Sequence, residues 1–350
     1  MTSPSALALH RSLTPRSDAR REIASPPGRD RSIDAAVGLL VMLVVFSHAI
    51  GPLSGRPAEA ITQWLFMFHM PAFVFLSGYL TRKSSGWSPR ALAGRLLFPF
   101  AVFQVLHLGA ASLVAGEIST PTPLVPAWTT WYLLSLFAWR VAAPWLARIP
   151  HVLPVSVGVS ITAGGLAVIG PQLSLGRTLG FLPFFVLGLV WRDAWFARLR
   201  SPSIRIASAA LFAGAWVLAY LTEPILNRGV FFLHEDYGDL DFTFIEGAAL
   251  RAAVLATGGL LTLALVSLTG WSSRVAARIG AGSLVVYLLH PFALYPIRDD
   301  GYGAALPEAA WLALIAIATV AFAWAVSHRV VARATAPLMD HRWWAGERTA

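Results

Sequence analysis

The sequence predicts an all-α integral membrane protein with about ten transmembrane helices and both termini in the cytoplasm. First, 56% of its 350 residues are hydrophobic and 13% are charged, which is too apolar for an ordinary soluble domain. Second, the apolar residues form ten separate runs that approach the length of a membrane span. Third, the basic residues are unevenly distributed among the segments that join these runs.

The predicted spans follow from the length that a helix needs to cross hydrocarbon. At about 1.5 Å per residue, roughly 20 apolar residues cross a core of about 30 Å. The sixth and ninth runs are shorter than this, and prolines inside four of the runs predict kinks. In chain order the predicted spans are residues 34–53, 61–80, 95–115, 128–146, 152–170, 178–191, 204–221, 248–269, 283–297 and 308–327.

The charges between the spans predict the orientation. With a cytoplasmic N-terminus, 22 of the 27 Lys and Arg residues fall on the cytoplasmic side. The five on the outer side are Arg56, Arg177, Arg228, Arg251 and Arg298. This bias follows the positive-inside rule and predicts that both termini are cytoplasmic. Cationic helix ends that face anionic lipid also explain the net charge of +9, so we expect no nucleic-acid partner.

Three segments differ in composition. Residues 1–30 are rich in Arg, Ser and Pro and contain no long apolar run, which predicts a disordered basic tail. Residues 31–330 are predicted to form the transmembrane domain, and residues 331–350 a cytoplasmic C-terminal tail. The chain contains no cysteine, so disulfides, thiol nucleophiles and zinc–thiolate sites are excluded.

The longest predicted outer loop, residues 222–247, contains the acidic stretch HEDYGDLD. Its carboxylates and His234 could hold a cation or face a polar substrate, but their spacing matches no metal-binding motif. We therefore expect a solvated loop without a core of its own and no bound metal.

Histidines inside the apolar runs are the first candidates for chemistry, because ionisable groups at such depth usually face a polar interior. His48 lies 14 residues beyond Asp34, about 21 Å along the helix and in the outer half of the bilayer. His69 and His107, on the next two spans, are predicted at a similar depth, whereas His290 is predicted closer to the cytoplasm. The alternative is that each histidine caps a backbone carbonyl freed by a nearby proline.

Several stretches together resemble the membrane-bound acyltransferase 3 family, over residues 29–327. The N-terminal resemblance rests on RDRSIDAAVGLLVMLVVFSHAI and FMFHMPAFVFLSGYLTRKS. WYLLSLFAWR and GSLVVYLLHPF resemble later helices of the family, and RTLGFLPFFVLGLVW resembles the branch that contains fucose 4-O-acetylase. The resemblance implies ten helices in a cell membrane and transfer of an acyl group, by default acetyl, from cytoplasmic acyl-CoA to a hydroxyl of an envelope carbohydrate or glycosylated small molecule.

The resemblance and the positions along the predicted spans together indicate roles for particular residues. His48 stands at the position of the family's catalytic base, and a neutral imidazole there suits removal of a hydroxyl proton. His69 is the second catalytic candidate. The donor-side candidates are Asp34, Ser77, Tyr79, Arg82 and Arg95, and the acceptor-side candidates are His107, Trp128 and Trp131.

One position departs from the family pattern. The family usually has Arg or Lys eleven residues before the catalytic histidine, where it is thought to hold the donor; here that residue is Val37. An aliphatic side chain cannot pair with a phosphate, so another cation, such as Arg82 or Arg95, would have to substitute. Arg95 is the better candidate because it precedes LLFP, as a basic residue does in relatives.

Two other interpretations remain open at the level of sequence. A transporter would also carry polar groups at mid-membrane, although no inverted repeat or paired broken helices are evident. A catalytically inactive acyltransferase-like scaffold would explain Val37. An assay for transfer of a labelled acyl group distinguishes the enzyme from both alternatives, because neither a transporter nor a scaffold transfers label.

Overall fold

The computed structural model describes residues 31–84, 88–116, 124–269, 273–298, 301–303 and 305–344. Within these residues the regular structure is helical, which confirms the predicted all-α class. Short 3₁₀ turns cover Gln172–Ser174, Arg228–Phe231 and His341–Trp343. The α-helices, numbered α1 to α15, are Arg31–Ala49, Arg56–Phe66, His69–Lys83, Pro89–Ala115, Trp131–Leu146, Val152–Gly164, Leu175–Gly180, Leu182–Val190, Asp193–Leu199, Pro202–Thr222, Phe244–Leu268, Arg274–Ala281, Ser283–Arg298, Glu308–Val326 and Arg329–Met339.

Six helical segments of the described chain are long and apolar enough to cross a membrane. They are Arg31–Ala49, Arg56–Lys83, Pro89–Ala115, Pro202–Thr222, Phe244–Leu268 and Glu308–Val326. Two bent pairs, α7 with α8 and α12 with α13, raise the number to eight if each pair is one span. The prediction of a polytopic membrane protein is thus confirmed, whereas ten spans and cytoplasmic termini stay predictions.

The fourth and fifth predicted spans coincide with α5 and α6, which have 16 and 13 residues. At about 1.5 Å per residue these helices measure roughly 24 and 20 Å, less than a hydrocarbon core of about 30 Å. Length therefore separates these two helices from the six segments that meet the criterion for a span.

Two predicted spans are interrupted helices, and the ninth, residues 283–297, coincides with α13 and begins at a bend after α12. The second consists of α2 and α3, which are separated by a short break immediately before His69. The sixth consists of α7 and α8, bent by 55°, and α12 meets α13 at a bend of 81°. These breaks matter for the site because His69 and Arg177 lie on the interrupted segments.

Glycines allow two pairs of helices to cross with their backbones almost in contact. A Cβ atom on Gly38 of α1 would lie 1.9 Å from the carbonyl oxygen of Ala276 in α12, and one on Gly280 would lie 1.9 Å from that of Asp34. Gly78 of α3 and Gly188 of α8 form the same reciprocal arrangement at 2.0 Å. Small residues at crossings are the usual means by which membrane helices pack closely.

The largest apolar core lies where α3, α4, α5, α8 and α13 meet, with Phe103, Trp139 and Phe185 among its most buried side chains. Large apolar side chains are also exposed, as on α10 and α14, where Ile206 and Ile317 are 71% and 69% accessible. Such faces suit contact with lipid and not with water.

The two predicted tails differ in what the structure describes of them. Residues 1–30 lie outside the described residues. The C-terminal segment contains α15, whose Met339 belongs to the largest apolar core, and Nδ1 of His341 lies 3.2 Å from the carbonyl oxygen of Gly94 in α4. The predicted boundary at residue 331 therefore falls inside a packed helix.

Candidate active site

His48 lies in the last turn of α1, half-buried between two other rings. Its Nδ1 is 2.9 Å from Nε2 of His290, and the two imidazole rings meet edge to edge with their planes only 8° apart. The Trp128 ring lies 5.7 Å from the His48 ring, centroid to centroid. α1 ends here because Gly51 and Pro52 follow, so the side chain is presented at the end of a helix.

Two cavities meet at His48. We call the larger one, of about 470 Å³, the outer cavity, because the loop charges predict that its arginines lie on the outer side. It is lined mainly by polar groups and aromatic rings, including Thr62, Trp128, Asn227, Arg228, Phe232, Glu235 and Arg298. The inner cavity, of about 240 Å³, is lined by residues that include Phe66, His69, Met70, Trp131, Arg177 and Tyr287. His48, Phe66, Trp128 and Phe232 line both cavities. An imidazole at this boundary can reach a molecule in either cavity.

His69, the second predicted catalytic residue, shares the inner cavity with His48. Its Nδ1 lies 2.7 Å from the carbonyl oxygen of Leu65, at the break between α2 and α3. The carbonyl can only accept, so Nδ1 of His69 is the donor. The side chain thus caps the broken helix and lines the cavity at the same time.

The predicted acceptor-side residues divide into two groups. Trp128 and Trp131 line cavities, and each carries an arginine over its ring: Arg298 at 4.8 Å and Arg177 at 5.2 Å. His107 instead packs behind the site, with Nδ1 3.0 Å from the Tyr295 hydroxyl. It reaches the site through Tyr295, whose ring contacts that of Trp128.

The prediction that His290 lies closer to the cytoplasm than His48 is wrong, because the two side chains are hydrogen-bonded. The depth of His290 was predicted by counting residues from the start of its span, which is valid only if all spans begin at the same depth in the membrane. The 81° bend between α12 and α13 breaks that assumption. The motif that contains His290 was recognised, but nothing in the sequence pointed to its contact with His48.

The prediction of a solvated acidic loop is also wrong for most of residues 223–243. Leu233, Tyr237 and Leu240 are buried, and Arg251 donates hydrogen bonds of 3.0 Å to the carbonyls of Ser160 and Glu235. Apolar residues within the acidic stretch thereby hold the loop on α6 and α11. Burial lowers the pKa of His234 to about 4, so it is neutral at pH 7.

The loop delivers polar groups to the outer cavity. Glu235 belongs to the acidic stretch for which contact with a polar substrate was the alternative to a solvated loop, whereas Asn227 and Arg228 were missed by the sequence reasoning. Asn227, Arg228 and Glu235 line this cavity, and Arg228 forms an ion pair of 2.6 Å with Glu59. Among the described residues, no group of three or more His, Asp and Glu side chains is placed to hold a metal ion.

The predicted donor-side residues lie on other parts of the same helices and form two groups. In the first, Tyr79 donates a 3.3 Å hydrogen bond to Asp193, which also pairs with Arg82 and, at 2.5 Å, with Lys83. Hydrogen bonds from Lys83 and Arg82 hold the pKa of the Asp193 carboxyl below its usual range. The Arg82 cation therefore already has a carboxylate partner.

The second group joins Ser77 and Arg95 through α5. Ser77 is hydrogen-bonded to the Tyr132 hydroxyl, and Arg140 lies eight residues beyond Tyr132 on the same helix. The Arg140 guanidinium is close enough to that of exposed Arg95 for the two to repel each other. Within the described residues, the buried Nε of Arg140 has no hydrogen-bond partner.

The remaining predicted positions lie along α1. Asp34 is in the first turn, at the close crossing with α12. Val37 is half-buried against an apolar cluster that contains Leu40, Phe75 and Tyr79. Val37 thus has an apolar environment instead of an ionic one.

Comparison with known sequences decides the family. The acyltransferase domain of the acyltransferase 3 family matches residues 30–328, which include His48, His290 and every predicted site residue. The chain belongs to the acyltransferase 3 family. This acyltransferase 3 member is therefore a membrane acyltransferase, which confirms the resemblance found in the sequence.

Two nodulation proteins NolL are similar to this acyltransferase 3 member. The protein of Mesorhizobium japonicum is 25% identical over 294 residues, which cover 76% of this chain and 77% of the relative. The protein of Sinorhizobium fredii is 24% identical over 302 residues, covering 76% and 78%. No solved structure matches the chain.

Proposed function

We propose that this chain is an O-acyltransferase of the cell membrane that uses cytoplasmic acyl-CoA, by default acetyl-CoA. Its acceptor is a hydroxyl group of an envelope carbohydrate or a glycosylated small molecule. The observation that carries the proposal is the position of His48 at the boundary of two cavities, one of about 470 Å³ and one of about 240 Å³. Two substrates that react with each other need a base at their meeting point.

The outer cavity suits the acceptor. Its volume of about 470 Å³ lies within the range of small-molecule sites. Trp128 and Phe232 offer aromatic faces, and Thr62, Asn227 and Glu235 offer hydrogen-bonding groups, a combination that suits a hydroxylated ring. The acyl end of the donor occupies the inner cavity in this proposal.

The chemical step transfers one proton and one acyl group. The acceptor oxygen attacks the thioester carbon while its proton passes to Nε2 of His48, the nitrogen that faces away from the bond to His290. The C–S bond then breaks, and the CoA thiolate takes the proton from His48. Arg177 lines the inner cavity together with His48, so its cation is suited to stabilise negative charge on the carbonyl oxygen.

The donor's phosphates are proposed to remain at the opposite, cytoplasmic end of the helices, because charged groups enter hydrocarbon only at a large cost. Arg95 and Arg140 are the proposed cations there. Two guanidinium groups that repel each other are stabilised when a phosphate binds between them.

The test uses purified protein in detergent with labelled acetyl-CoA and an extract of envelope sugars. The wild type is expected to transfer label to a sugar, whereas His48→Ala lowers the rate by about 10²–10⁴-fold, the usual contribution of a general base. His328→Ala, at an exposed histidine, is the matched control, and thermal unfolding checks that each variant is folded. Wild-type turnover by His48→Ala would exclude His48 as the base, and a transporter or inactive scaffold would label no sugar.

A further inference from the structure

Three groups at the site form a continuous chain of hydrogen bonds: the backbone carbonyl of Tyr287, His290 and His48. Nδ1 of His290 lies 2.8 Å from the Tyr287 carbonyl oxygen, and its Nε2 lies 2.9 Å from Nδ1 of His48. His290 is buried, with 0% of its surface accessible to solvent, and both of its ring nitrogens have partners within the protein. The direction of the hydrogen bonds is therefore determined within the protein.

The sequence explains why the Tyr287 carbonyl is available. In an uninterrupted helix this carbonyl would accept a hydrogen bond from the N–H of residue 291. Residue 291 is proline, which has no N–H, so the carbonyl loses its helical donor. His290, the residue before this proline, supplies the missing donor from Nδ1 of its ring.

The carbonyl can only accept, so the hydrogen of neutral His290 must be on Nδ1. Nε2 of His290 then carries a lone pair and accepts from His48. Nδ1 of His48 is consequently the donor, and its Nε2 is left as an unprotonated base. Imidazole side chains in water favour the opposite tautomer, with the hydrogen on Nε2.

We propose that His290 is a positioning residue that selects the Nδ1–H tautomer of His48 and so leaves Nε2 free to accept the substrate proton. The inference rests on the proposed function only in assigning that nitrogen to acyl transfer. The role resembles that of the third group in a catalytic triad, which orients the base, but here a neutral imidazole held by a backbone carbonyl replaces a carboxylate.

The first experiment reads the tautomer without any turnover. Full-length protein labelled with ¹⁵N-histidine is studied in lipid bilayers by solid-state NMR, and the His48 signals are assigned by their loss in His48→Ala. We expect protonated Nδ1 and unprotonated Nε2 on His48 in the wild type. In His290→Gln the amide can donate to Tyr287 and accept from His48, so the same tautomer is expected. In His290→Phe, which has no acceptor, the hydrogen is expected on Nε2.

The second experiment measures kinetics on the same proteins. His290→Phe is expected to lower kcat by about 10²-fold with little change in either KM, since it removes a usable base but no substrate contact. His290→Gln is expected to recover most of the rate. A merely structural role would instead reduce thermal stability in proportion to activity.

The outcomes separate this inference from the proposed function. A wild-type His48 with its hydrogen on Nε2, or an unchanged tautomer in His290→Phe, overturns the positioning role. Wild-type protein with the expected tautomer but no acyl transfer overturns the proposed function and leaves the tautomer selection supported. If His290→Phe does not fold, the wild-type spectrum and the His290→Gln rate still decide the inference.

Discussion

Three arginines reach the cavities beside His48, and they share an unusual feature. Arg177 lines the inner cavity, and Arg228 and Arg298 line the outer one. The loop charges predict that all three lie on the outer side, where basic residues are scarce in membrane proteins. These arginines do not follow the positive-inside rule, and this departure is the sequence signal that could have identified them as site residues.

The donor side gives a prediction at the residue scale. Arg95→Ala and Arg140→Ala are each expected to raise the KM for acyl-CoA about tenfold or more, the effect of losing one charge-assisted hydrogen bond. Arg95→Lys should recover part of the loss, since lysine binds phosphate only as a point charge. Steady-state kinetics with varied donor and acceptor measure both constants.

Arg90→Ala provides the matched control, because Arg90 is also exposed on α4. It should leave the donor KM near the wild-type value. If Arg95→Ala raises the KM for the acceptor and not for the donor, the two arginines belong to a different site.

At the scale of the element, two close crossings at glycines hold the helices that carry the site histidines in place. The α3–α8 crossing at Gly78 and Gly188 holds the helix that begins with His69, and the α1–α12 crossing holds the helix that ends with His48. Since backbone atoms face each other at these points, even one methyl group must move a whole helix.

Gly78→Ala is therefore expected to destabilise the protein by about 1–3 kcal/mol, as overpacking of a filled core does. Gly109→Ala is the matched control, because nothing lies within 4 Å of the Cβ that it adds to α4. The control should be neutral or slightly stabilising, since alanine favours helix over glycine. Thermal unfolding in detergent compares the two variants, and equal midpoints would contradict the close crossing.

At the scale of the whole molecule, orientation in the membrane is the property to test. A reporter fused after Gly238, in the loop between α10 and α11, is expected outside the cytoplasm. One fused after Arg200, between α9 and α10, is expected inside. The expected pattern follows from the bias of basic residues, and the reverse or a same-side result would show that the orientation or the number of spans is wrong.

The sequence by itself determined that the chain lies in a lipid membrane, that it is helical, to which family it belongs and which residue is the candidate base. Composition and the length of apolar runs decide whether a chain belongs in lipid, and both are local properties. His48, His69 and Trp131 were identifiable because each lies in a stretch that resembles the family, and Trp128 because it lies near the end of a predicted span. The structure brings all four to the two cavities.

Only the tertiary structure decided which distant groups meet. The bond between His48 and His290 joins residues 242 positions apart, and its geometry depends on a helix bend that apolar periodicity does not encode. The acidic loop was misread for a related reason: whether its apolar residues are buried depends on α6 and α11, which lie elsewhere in the chain. Local patterns determine that the chain lies in lipid and where its helices form. The site arises from packing between helices, which depends on their relative depths in the membrane and their tilts.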